Sequence, residues 1–281
     1  MNGPARRTNV ALVVNVDQPE AAPLARRARA WWEAHGYDVE EIDDVWNAPD
    51  DDAAFFCAVS LGGDGTMLRT IHFAMRRRVP VIGVNLGSFG YLTQVEPDQM
   101  ETAFGQFVDG DVAIDERMVL DVRVERASGA SERHLAVNEA AIERNAVGRT
   151  LRINLAISKR PFLSYLSDGV LVATPTGSTA YNLSLRGPIV SPQLAALIVT
   201  PISPHMLFDR SLVLDPGESV RLEVGEGPPL AVVVVDGLAK GPIGSGDAVI
   251  VECAEETAQI VRFAAPDFHA ILREKFGLAD R

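Results

Sequence analysis

Apolar and polar positions follow two different patterns along this chain, and the first pattern occupies its N-terminal part. The stretches 10–16 and 55–61 are apolar almost throughout, as expected of strands buried on both faces of a parallel sheet. Between them, Leu24, Ala28 and Trp31 recur at helical spacing. Repeated β-α units of this kind predict a parallel sheet covered by helices. Further strands are predicted at 37–42 and 79–85, and helices at 66–78 and 97–107, with Pro97 in the first turn of the last helix.

The second pattern begins near Asp111 and consists of short strands separated by Gly- and Pro-rich turns. Leu120, Val122 and Val124 alternate with polar residues, which is typical of a strand with one buried face. Strands are predicted in the same way at 153–157, 169–174, 194–200, 219–224, 230–235 and 248–253. Many short strands at this spacing indicate an antiparallel sandwich or a similar all-β domain.

The C-terminal stretch returns to helical spacing. Four apolar residues lie on one face of the predicted helix: Phe268, Ile271, Leu272 and Phe276. The fold class is therefore predicted as α/β + all-β. A Rossmann-like α/β domain would occupy residues 1–112, with 258–281 packing back on it, and a β-sandwich-like domain would occupy residues 113–257.

Composition limits the possible partners. The chain has 281 residues and a net charge of −12, so it has no basic excess with which to neutralise the phosphates of nucleic acid or of an anionic membrane. Its two cysteines lie far apart in apolar runs, which indicates buried, reduced thiols. No apolar run approaches the roughly 20 residues that a membrane span requires. We therefore expect a soluble, cytoplasmic protein with neither a nucleic-acid nor a membrane partner.

The segment Gly62-Gly63-Asp64-Gly65-Thr66 carries the clearest chemistry. It links a predicted buried strand to a predicted helix, so its backbone N–H groups and the helix N-terminus suit phosphate, and its glycines tolerate positive φ. A carboxylate is poorly suited to holding phosphate but well suited to orienting a hydroxyl group or a metal ion, which indicates phosphoryl transfer. The alternative is a tight turn in which Asp64 or Thr66 caps the helix. A Walker loop is excluded because no lysine follows the glycines.

Two further polar clusters interrupt the apolar strands of the second domain. Asn138 and Glu139 could bind vicinal ribose hydroxyls, or they could lie in a turn or at an exposed strand edge. Asp168 precedes a strand that leads into the polar stretch 174–184, where Tyr181 could stack on a base or simply pack. This stretch could bind a nucleotide, or it could be a loop of capping residues.

These motifs, in this order and spacing, closely resemble those of NAD kinases, and the resemblance covers most of the chain. It includes the glycine loop, Asn138-Glu139, Asp168-Gly169 and the run 174–182. Shorter matches occur at Gly83-Val84-Asn85, Gly90-Tyr91-Leu92, Gly187-Pro188-Ile189, Pro201-Ile202-Ser203-Pro204-His205 and Val235-Asp236-Gly237. The glycine loop alone is less specific, because phosphofructokinases and the diacylglycerol and sphingosine kinases carry related loops.

The resemblance implies an enzyme that transfers the γ-phosphoryl group of ATP to the 2′-hydroxyl of the adenosine ribose of NAD, giving NADP. Asp64 would be the catalytic carboxylate at that hydroxyl, and Asn138 and Glu139 would contact the ribose. The implied phosphate loop consists of Gly62, Gly63, Gly65 and Thr66. The other residues implied to bind NAD, together with Asp64, are Gly65, Tyr91, Asp168, Thr179, Ala180, Tyr181 and Ser184.

The cofactor and the assembly follow from the same resemblance. ATP is the implied phosphoryl donor, and so acidic a chain would need Mg²⁺ to offset the charge of the triphosphate, although the sequence identifies no metal-binding residue. The resemblance also implies a homodimer or homotetramer. Four positions depart from the family pattern: Ser211 stands where proline is common, Leu238 where glutamine is frequent, Arg186 where a small residue is common, and Leu166 where some members carry arginine. These departures leave the preference between NAD and NADH and the subunit contacts open.

Two other functions remain as alternatives. A lipid kinase of the diacylglycerol or sphingosine type would be expected to carry an apolar or basic patch facing the membrane, and this acidic chain has no evident one. A non-catalytic NAD sensor would bind NAD in a similar pocket without turnover. Asp64 argues against a sensor, because a site that had lost its activity would have little use for that carboxylate.

Overall fold

The computed structural model describes residues 8–46, 48, 54–87, 90–145, 150–226, 231–264 and 267–278. These residues form two compact units. The first unit contains the described residues up to Glu116 together with those from Ala258 onwards, and the second contains those from Arg117 to Thr257. Each unit has a hydrophobic core of its own.

The first unit begins with alternating strands and helices. In chain order these are β1 (Asn9–Val14), α1 (Ala21–Ala34), β2 (Asp38–Glu41), β3 (Phe55–Gly62), α2 (Asp64–Arg77), β4 (Val81–Asn85) and α3 (Met100–Asp109). The four strands are parallel and lie in the order β2-β1-β3-β4. In open parallel sheets ligands bind at the carboxyl ends of the strands where the strand order reverses. Here the reversal falls between β1 and β3, and the glycine loop follows β3.

Packing against the sheet explains why α1 forms where it does. Leu24, Ala28 and Trp32 are buried on one side of this helix. The helix ends just before Gly36, whose φ of 82° reverses the chain at no steric cost. Phe104 of α3 lies with its ring centroid 4.9 Å from that of Trp32, so the two helices share one aromatic core.

Several predicted boundaries are wrong by a few residues. Helix α2 begins at Asp64 rather than at Thr66, and β1 ends at Val14. Helix α3 begins at Met100, because Pro97 lies in a preceding turn that the hydrogen bond from the N–H of Gln99 to the carbonyl of Glu96 closes (3.0 Å). Residue 230, at the start of one predicted strand, lies outside the described residues.

The chain then enters the second unit. Its elements are β5 (Ala113–Glu125), β6 (Ser131–Ala136), β7 (Glu139–Arg144), β8 (Leu151–Ile157), β9 (Arg160–Ser167), β10 (Gly169–Ala173), α4 (Tyr181–Ser184), β11 (Leu197–Ile202), β12 (Leu212–Leu214), β13 (Val220–Val224), β14 (Ala231–Val235), β15 (Leu238–Ile243) and β16 (Ala248–Arg262). Strand β5 begins, and strand β16 ends, in the first unit. The strand predicted at 248–253 thus continues to Arg262.

The second unit is a β-sandwich, as predicted. One antiparallel sheet has the order β12-β11-β10-β7-β14-β15, and the other contains β16-β13-β8-β9 with β5 and β6. Side chains from both sheets meet in one core, for example Ile142 and Val172 from the first sheet and Val122 and Leu222 from the second. On the other face of the six-stranded sheet, Tyr181 and neighbouring residues pack against buried positions such as Leu171.

The C-terminal part of the chain returns to the first unit. Ile260 of β16 pairs in parallel with Val81 of β4. Helix α5 (Phe268–Lys275) follows, and the ammonium nitrogen of Lys275 lies 5.7 Å from the ring centroid of Tyr91. The apolar face of α5 is only half-buried. Among the described residues, no helix combines the length and the apolar character that crossing a membrane would need.

Candidate active site

The glycine loop leads directly from β3 into α2. Gly63 is the N-cap of the helix and no side chain caps it, so the alternative in which Asp64 or Thr66 is the capping residue is wrong. Asp64 instead occupies the first turn, where a negative charge is favourable and where the first backbone N–H groups have no partner within the helix. The loop therefore places a carboxylate beside the backbone N–H groups of the first helical turn.

Asp64 is held by the backbone of a second segment. The N–H of Tyr91 donates to its Oδ2 at 2.8 Å, and the N–H of Leu92 donates to its Oδ1 at 3.0 Å. The segment packs so closely that a Cβ on Gly90 would lie 2.3 Å from Oδ1 of Asp64. Burial and the charge of Asp64 raise the pKa of Tyr91. The carboxylate is thus fixed in direction while it remains half-exposed.

The glycines of the loop serve proximity rather than unusual dihedral angles. None of Gly62, Gly63 and Gly65 has a positive φ, contrary to the use expected of them. A Cβ on Gly62 would lie 2.4 Å from Oγ1 of the buried Thr66, so this glycine lets the strand meet the helix. Gly63 and Gly65 have open space where a side chain would project, and that space is available to a ligand.

A cavity of about 480 Å³ lies at the carboxyl ends of β1 and β2. Its apolar lining includes Val14 and Ile42, and its polar lining includes the cationic side chains of Arg26 and Arg69 as well as acidic residues. Apolar walls with a few charged groups are typical of small-molecule sites. Within the described part of the chain, no group of three or more His, Cys, Asp or Glu side chains is arranged to hold a metal ion.

In the second unit, Asp236 positions Asn138 and Glu139. The sequence alone indicated no role for this residue. The N–H groups of Val137, Asn138 and Glu139 all donate to the carboxylate of Asp236, at 2.8, 2.8 and 3.0 Å. Asp236 and Gly237 both have positive φ, 46° and 77°, and form the tight turn between β14 and β15. The Asp-Gly pair between two apolar runs is a hairpin signal that could have identified this residue.

Glu139 is buried, with 7% of its surface exposed. Burial and then the charge of Asp236 raise the pKa of Glu139 to about 8, although the backbone N–H of Tyr181 bonds to its carboxyl group and opposes the shift. Among the described residues its Oε2 has no hydrogen-bond partner. At neutral pH this group carries a proton, so it can donate a hydrogen bond as well as accept one.

The polar stretch 174–184 is built around Asn138. The hydroxyl of Thr174 donates to the carbonyl of Val137 at 2.6 Å and accepts from the N–H of Gly177 at 3.0 Å. A Cβ on Gly177 would lie 2.1 Å from the carbonyl oxygen of Asn138, so only glycine allows this approach. The stretch and the Asn138-Glu139 pair therefore form one polar site.

The remaining predicted residues lie around the same site. Tyr181 is half-buried, and burial together with the charges of Glu143, Glu139 and Asp168 raises its pKa. Asp168 forms an ion pair with Arg144 at 3.1 Å. Thr179 and Ala180 are half-buried, and Ser184 is exposed on α4. The structure thus gathers the predicted residues into two groups, one in each unit.

Two of the departures from the family pattern now have a structural description. Ser211 lies 2.8 Å from the hydroxyl of Thr200, which donates to the buried Asn182 at 2.7 Å. Since the Thr200 hydrogen is used, Ser211 is the donor, a bond that proline could not form. Arg186 has a φ of 61°, a region that favours glycine.

A fixed carboxylate beside a glycine loop at the end of a parallel strand, together with a polar site on a β-sandwich, indicates a nucleotide-using phosphotransferase of two units. Comparison with known proteins narrows this class. A family model of the ATP-NAD kinase N-terminal domain matches residues 47–112, and a model of the ATP-NAD kinase C-terminal domain matches residues 137–263. Relatives that match almost the whole chain are NAD kinases as well.

An NAD kinase from Heliobacterium modesticaldum is 38% identical over 95% of this chain and 97% of its own length. An NAD kinase from Lachnoclostridium phytofermentans is 34% identical over 95% of this chain and 98% of its own length. The chain therefore belongs to the NAD kinase family. The prediction of an NAD kinase is confirmed, and membership of this family decides against a lipid kinase.

Two solved structures share the fold. Yeast NADH kinase complexed with NADH superposes with a TM-score of 0.87 at 21% identity, covering 98% of this chain and 88% of that one. An NAD kinase from Archaeoglobus fulgidus in complex with ATP superposes with a TM-score of 0.74 at 24% identity, covering 97% of this chain and 100% of that one. These similarities confirm the predicted fold class.

Proposed function

We propose that this member of the NAD kinase family transfers the γ-phosphoryl group of ATP to the 2′-hydroxyl of the adenosine ribose of NAD, giving NADP and ADP. The environment of Asp64 carries the proposal. Its carboxylate accepts two backbone N–H bonds and occupies the first turn of a helix that follows a glycine loop. Such a fixed acceptor can orient a hydroxyl group next to the phosphate that it attacks.

In the proposed reaction, the 2′-oxygen of NAD forms a bond to the γ-phosphorus of ATP, and the bond from that phosphorus to the β,γ-bridging oxygen breaks. Asp64 accepts a hydrogen bond from the 2′-hydroxyl and takes up its proton as the new bond forms. Phosphoryl transfer depends on alignment and charge stabilisation more than on a strong base. The two N–H donors suit this task because they fix the direction of the carboxylate.

The phosphates of ATP are assigned to the loop 62–66. The N–H groups at the start of α2 can bind phosphate oxygens, and the open space at Gly63 and Gly65 leaves room for them. The base and ribose of ATP are assigned to the cavity at the ends of β1 and β2, whose apolar lining suits a base, while Arg26 and Arg69 supply positive charge for the phosphates. A local pocket of this kind lets an acidic chain bind a polyanion.

The ribose of NAD is assigned to Asn138 and Glu139. A protonated Glu139 can donate to one ribose oxygen, and the amide of Asn138 can both donate and accept. The orphaned Oε2 of Glu139 supports this role, because a buried polar atom without a partner is costly unless a ligand completes it. The other proposed NAD-binding residues are Asp64, Gly65, Tyr91, Asp168, Thr179, Ala180, Tyr181 and Ser184.

Mg²⁺ is proposed to accompany ATP and to offset the charge of the triphosphate. This ion is usually held by one or two carboxylates and by substrate phosphates rather than by a complete protein cage. The described residues fit that description, since no group of three or more His, Cys, Asp or Glu side chains among them is arranged to hold an ion. The ion would therefore be held mainly by the nucleotide.

A homodimer or homotetramer is proposed on the basis of an apolar surface on the second unit. Phe162 and Leu166 of β9 are exposed, and Leu207 in the loop between β11 and β12 is fully exposed. The Phe162 and Phe208 rings lie 6.1 Å apart, which brings β9 next to the loop that carries Leu207. Exposed apolar patches commonly mark protein interfaces. A cytoplasmic location also stays a prediction.

The proposed reaction is tested by incubating the purified protein with ATP, Mg²⁺ and NAD and measuring NADP with an NADP-specific dehydrogenase. We expect NADP to accumulate with equimolar ADP, and phosphorus NMR to show a 2′-phosphate monoester. Parallel reactions with NADH in place of NAD, and with polyphosphate in place of ATP, define the substrate preference. NAD binding without any NADP from either donor would instead support the non-catalytic sensor.

A further inference from the structure

Arg262, at the end of β16, forms a buried ion pair in the first unit. Its Nε lies 3.0 Å from Oδ2 of Asp115, and the two side chains are 3% and 7% exposed. Removing two charges from water is costly, and a buried pair is often no more stabilising than apolar residues of the same size. The pair therefore needs an explanation other than stability.

The same guanidinium reaches the segment that holds the proposed catalytic carboxylate. Nη1 of Arg262 donates to the carbonyl of Leu92 at 3.1 Å, and the N–H of Leu92 donates to Asp64 at 3.0 Å. Both backbone groups of one residue are thus engaged, the carbonyl by Arg262 and the N–H by Asp64. The neighbouring N–H of Tyr91 donates to the second oxygen of Asp64 at 2.8 Å.

We propose that Arg262 is a positioning residue for phosphoryl transfer. Its hydrogen bond fixes the backbone of Leu92, so that the N–H groups of residues 91 and 92 aim the carboxylate of Asp64. Asp115 in turn accepts a hydrogen bond from Nε of Arg262 and so fixes the guanidinium. A carboxylate that aligns an attacking hydroxyl must be held to within a fraction of an ångström, and a displacement of about 1 Å can cost a hundredfold in rate. This inference rests on the proposed function of Asp64.

The test replaces the ion pair of Arg262 and Asp115 with two apolar side chains. Arg262→Met alone would leave Asp115 buried without its partner, so the informative variant is Arg262→Met combined with Asp115→Leu, which removes both charges. Arg262→Lys serves as the conservative variant, because lysine keeps the positive charge and one hydrogen-bonding nitrogen. Arg133→Met controls for the loss of an ion-paired arginine away from this segment, since the half-exposed Arg133 pairs with Asp121 and Glu256 in the second unit.

We expect the double variant to fold with a cooperative thermal transition but to lose about tenfold or more in kcat, with KM for NAD and ATP changed less than about threefold. Arg262→Lys should recover part of kcat. Arg133→Met should keep the wild-type kcat. A folded double variant with wild-type kcat would overturn the proposal, as would a loss confined to KM.

Amide hydrogen exchange gives a readout that does not depend on turnover. In the ligand-free protein, we expect the N–H groups of Tyr91 and Leu92 to exchange faster in the double variant than in the wild type, while N–H groups of β1 keep their protection. Unchanged exchange at both positions would overturn the positioning role. A wild-type protein without kinase activity would contradict the proposed function, and the exchange result would still decide whether Arg262 fixes this segment.

Discussion

Asp64 and Glu139 are both carboxyl groups at the proposed sites, yet their surroundings differ. Asp64, in the first unit, is half-exposed and has a backbone N–H donor on each oxygen. Glu139, in the second unit, is buried, receives a hydrogen bond from the N–H of Tyr181 and lies near the charge of Asp236. Burial and that charge raise the pKa of Glu139 to about 8.

The difference shows how one functional group can serve two purposes. Donors on both oxygens suit a carboxylate that accepts a hydrogen bond from a reacting hydroxyl. Burial with too few donors favours the neutral acid, which can donate to a ligand oxygen. Carboxyl groups with contrasting surroundings are a recurrent way of dividing roles within an enzyme.

The largest expected effect on stability comes from removing the carboxylate that holds the Glu139 segment. Asp236→Ala leaves three backbone N–H groups without their acceptor, so the free energy of unfolding should fall by about 2 to 4 kcal/mol. KM for NAD should rise, because Asn138 and Glu139 lose their support. Urea denaturation and steady-state kinetics measure the two effects.

Asp247→Ala is the matched control for this prediction. Asp247 accepts from the N–H groups of Ala127 and Gly244, at 2.8 and 3.0 Å, in a turn that carries none of the proposed site residues. It should lose stability while keeping the wild-type KM for NAD. An equal rise of KM in both variants would mean that Asp236 acts only through general stability.

The next effect concerns the proton on Glu139. The unfolded chain loses this proton near the ordinary pKa of 4.5 and the folded protein only near 8, so the folded state is destabilised as the pH rises through this window. Glu139→Gln cannot ionise. Relative to the wild type, its free energy of unfolding should therefore increase by about 2 to 3 kcal/mol between pH 6 and pH 8.

Denaturation curves at both pH values measure this difference. Glu143→Gln provides the comparison, because burial also raises the pKa of Glu143 but its side chain is only half-buried. Its pH-dependent change should have the same sign and a smaller size. If the free energies of unfolding of Glu139→Gln and of the wild type changed in parallel with pH, Glu139 would be ionised in the folded protein. Glu139 could then not act as a hydrogen-bond donor, and its proposed difference from Asp64 would be wrong.

The smallest effect is expected from Tyr91→Phe. The backbone N–H of Tyr91, rather than its hydroxyl, bonds to Asp64, and phenylalanine keeps both the N–H and the aromatic ring. Steady-state kinetics should show kcat within about threefold of the wild type. A much larger loss of kcat would mean that the hydroxyl takes part in the reaction and that backbone anchoring is an incomplete description of Asp64.

Much of the fold could be predicted because its periodicities are unambiguous. Buried strands such as β3 and β10 are continuous apolar runs, and the sandwich strands alternate cleanly. Boundaries were less predictable where tertiary contacts decide them. Strand β16 continues through residues 252–257, three of which are glutamates, because its partner strands and not its composition keep it extended.

The chemistry of the site could be predicted only in part. The glycine loop and the polar stretch 174–184 are local in sequence, so their residue types identified them. The residues that hold the site segments in place are distant in sequence. Asp236 follows Asn138 by almost a hundred residues, and Arg262 follows Leu92 by 170. Hydrogen bonds from backbone N–H groups, such as those to Asp64, leave no side-chain signature at all.

The central claim is that the carboxylate of Asp64 serves mainly the reaction of the 2′-hydroxyl and contributes little to the affinity for NAD. Calorimetric titration of NAD into Asp64→Asn, with the NADP assay on the same preparation, tests it most directly. The account predicts a Kd for NAD within about threefold of the wild type and a loss of turnover of about a hundredfold to ten-thousandfold. Comparable turnover in the purified variant would contradict it, and so would a loss that high NAD concentration restores.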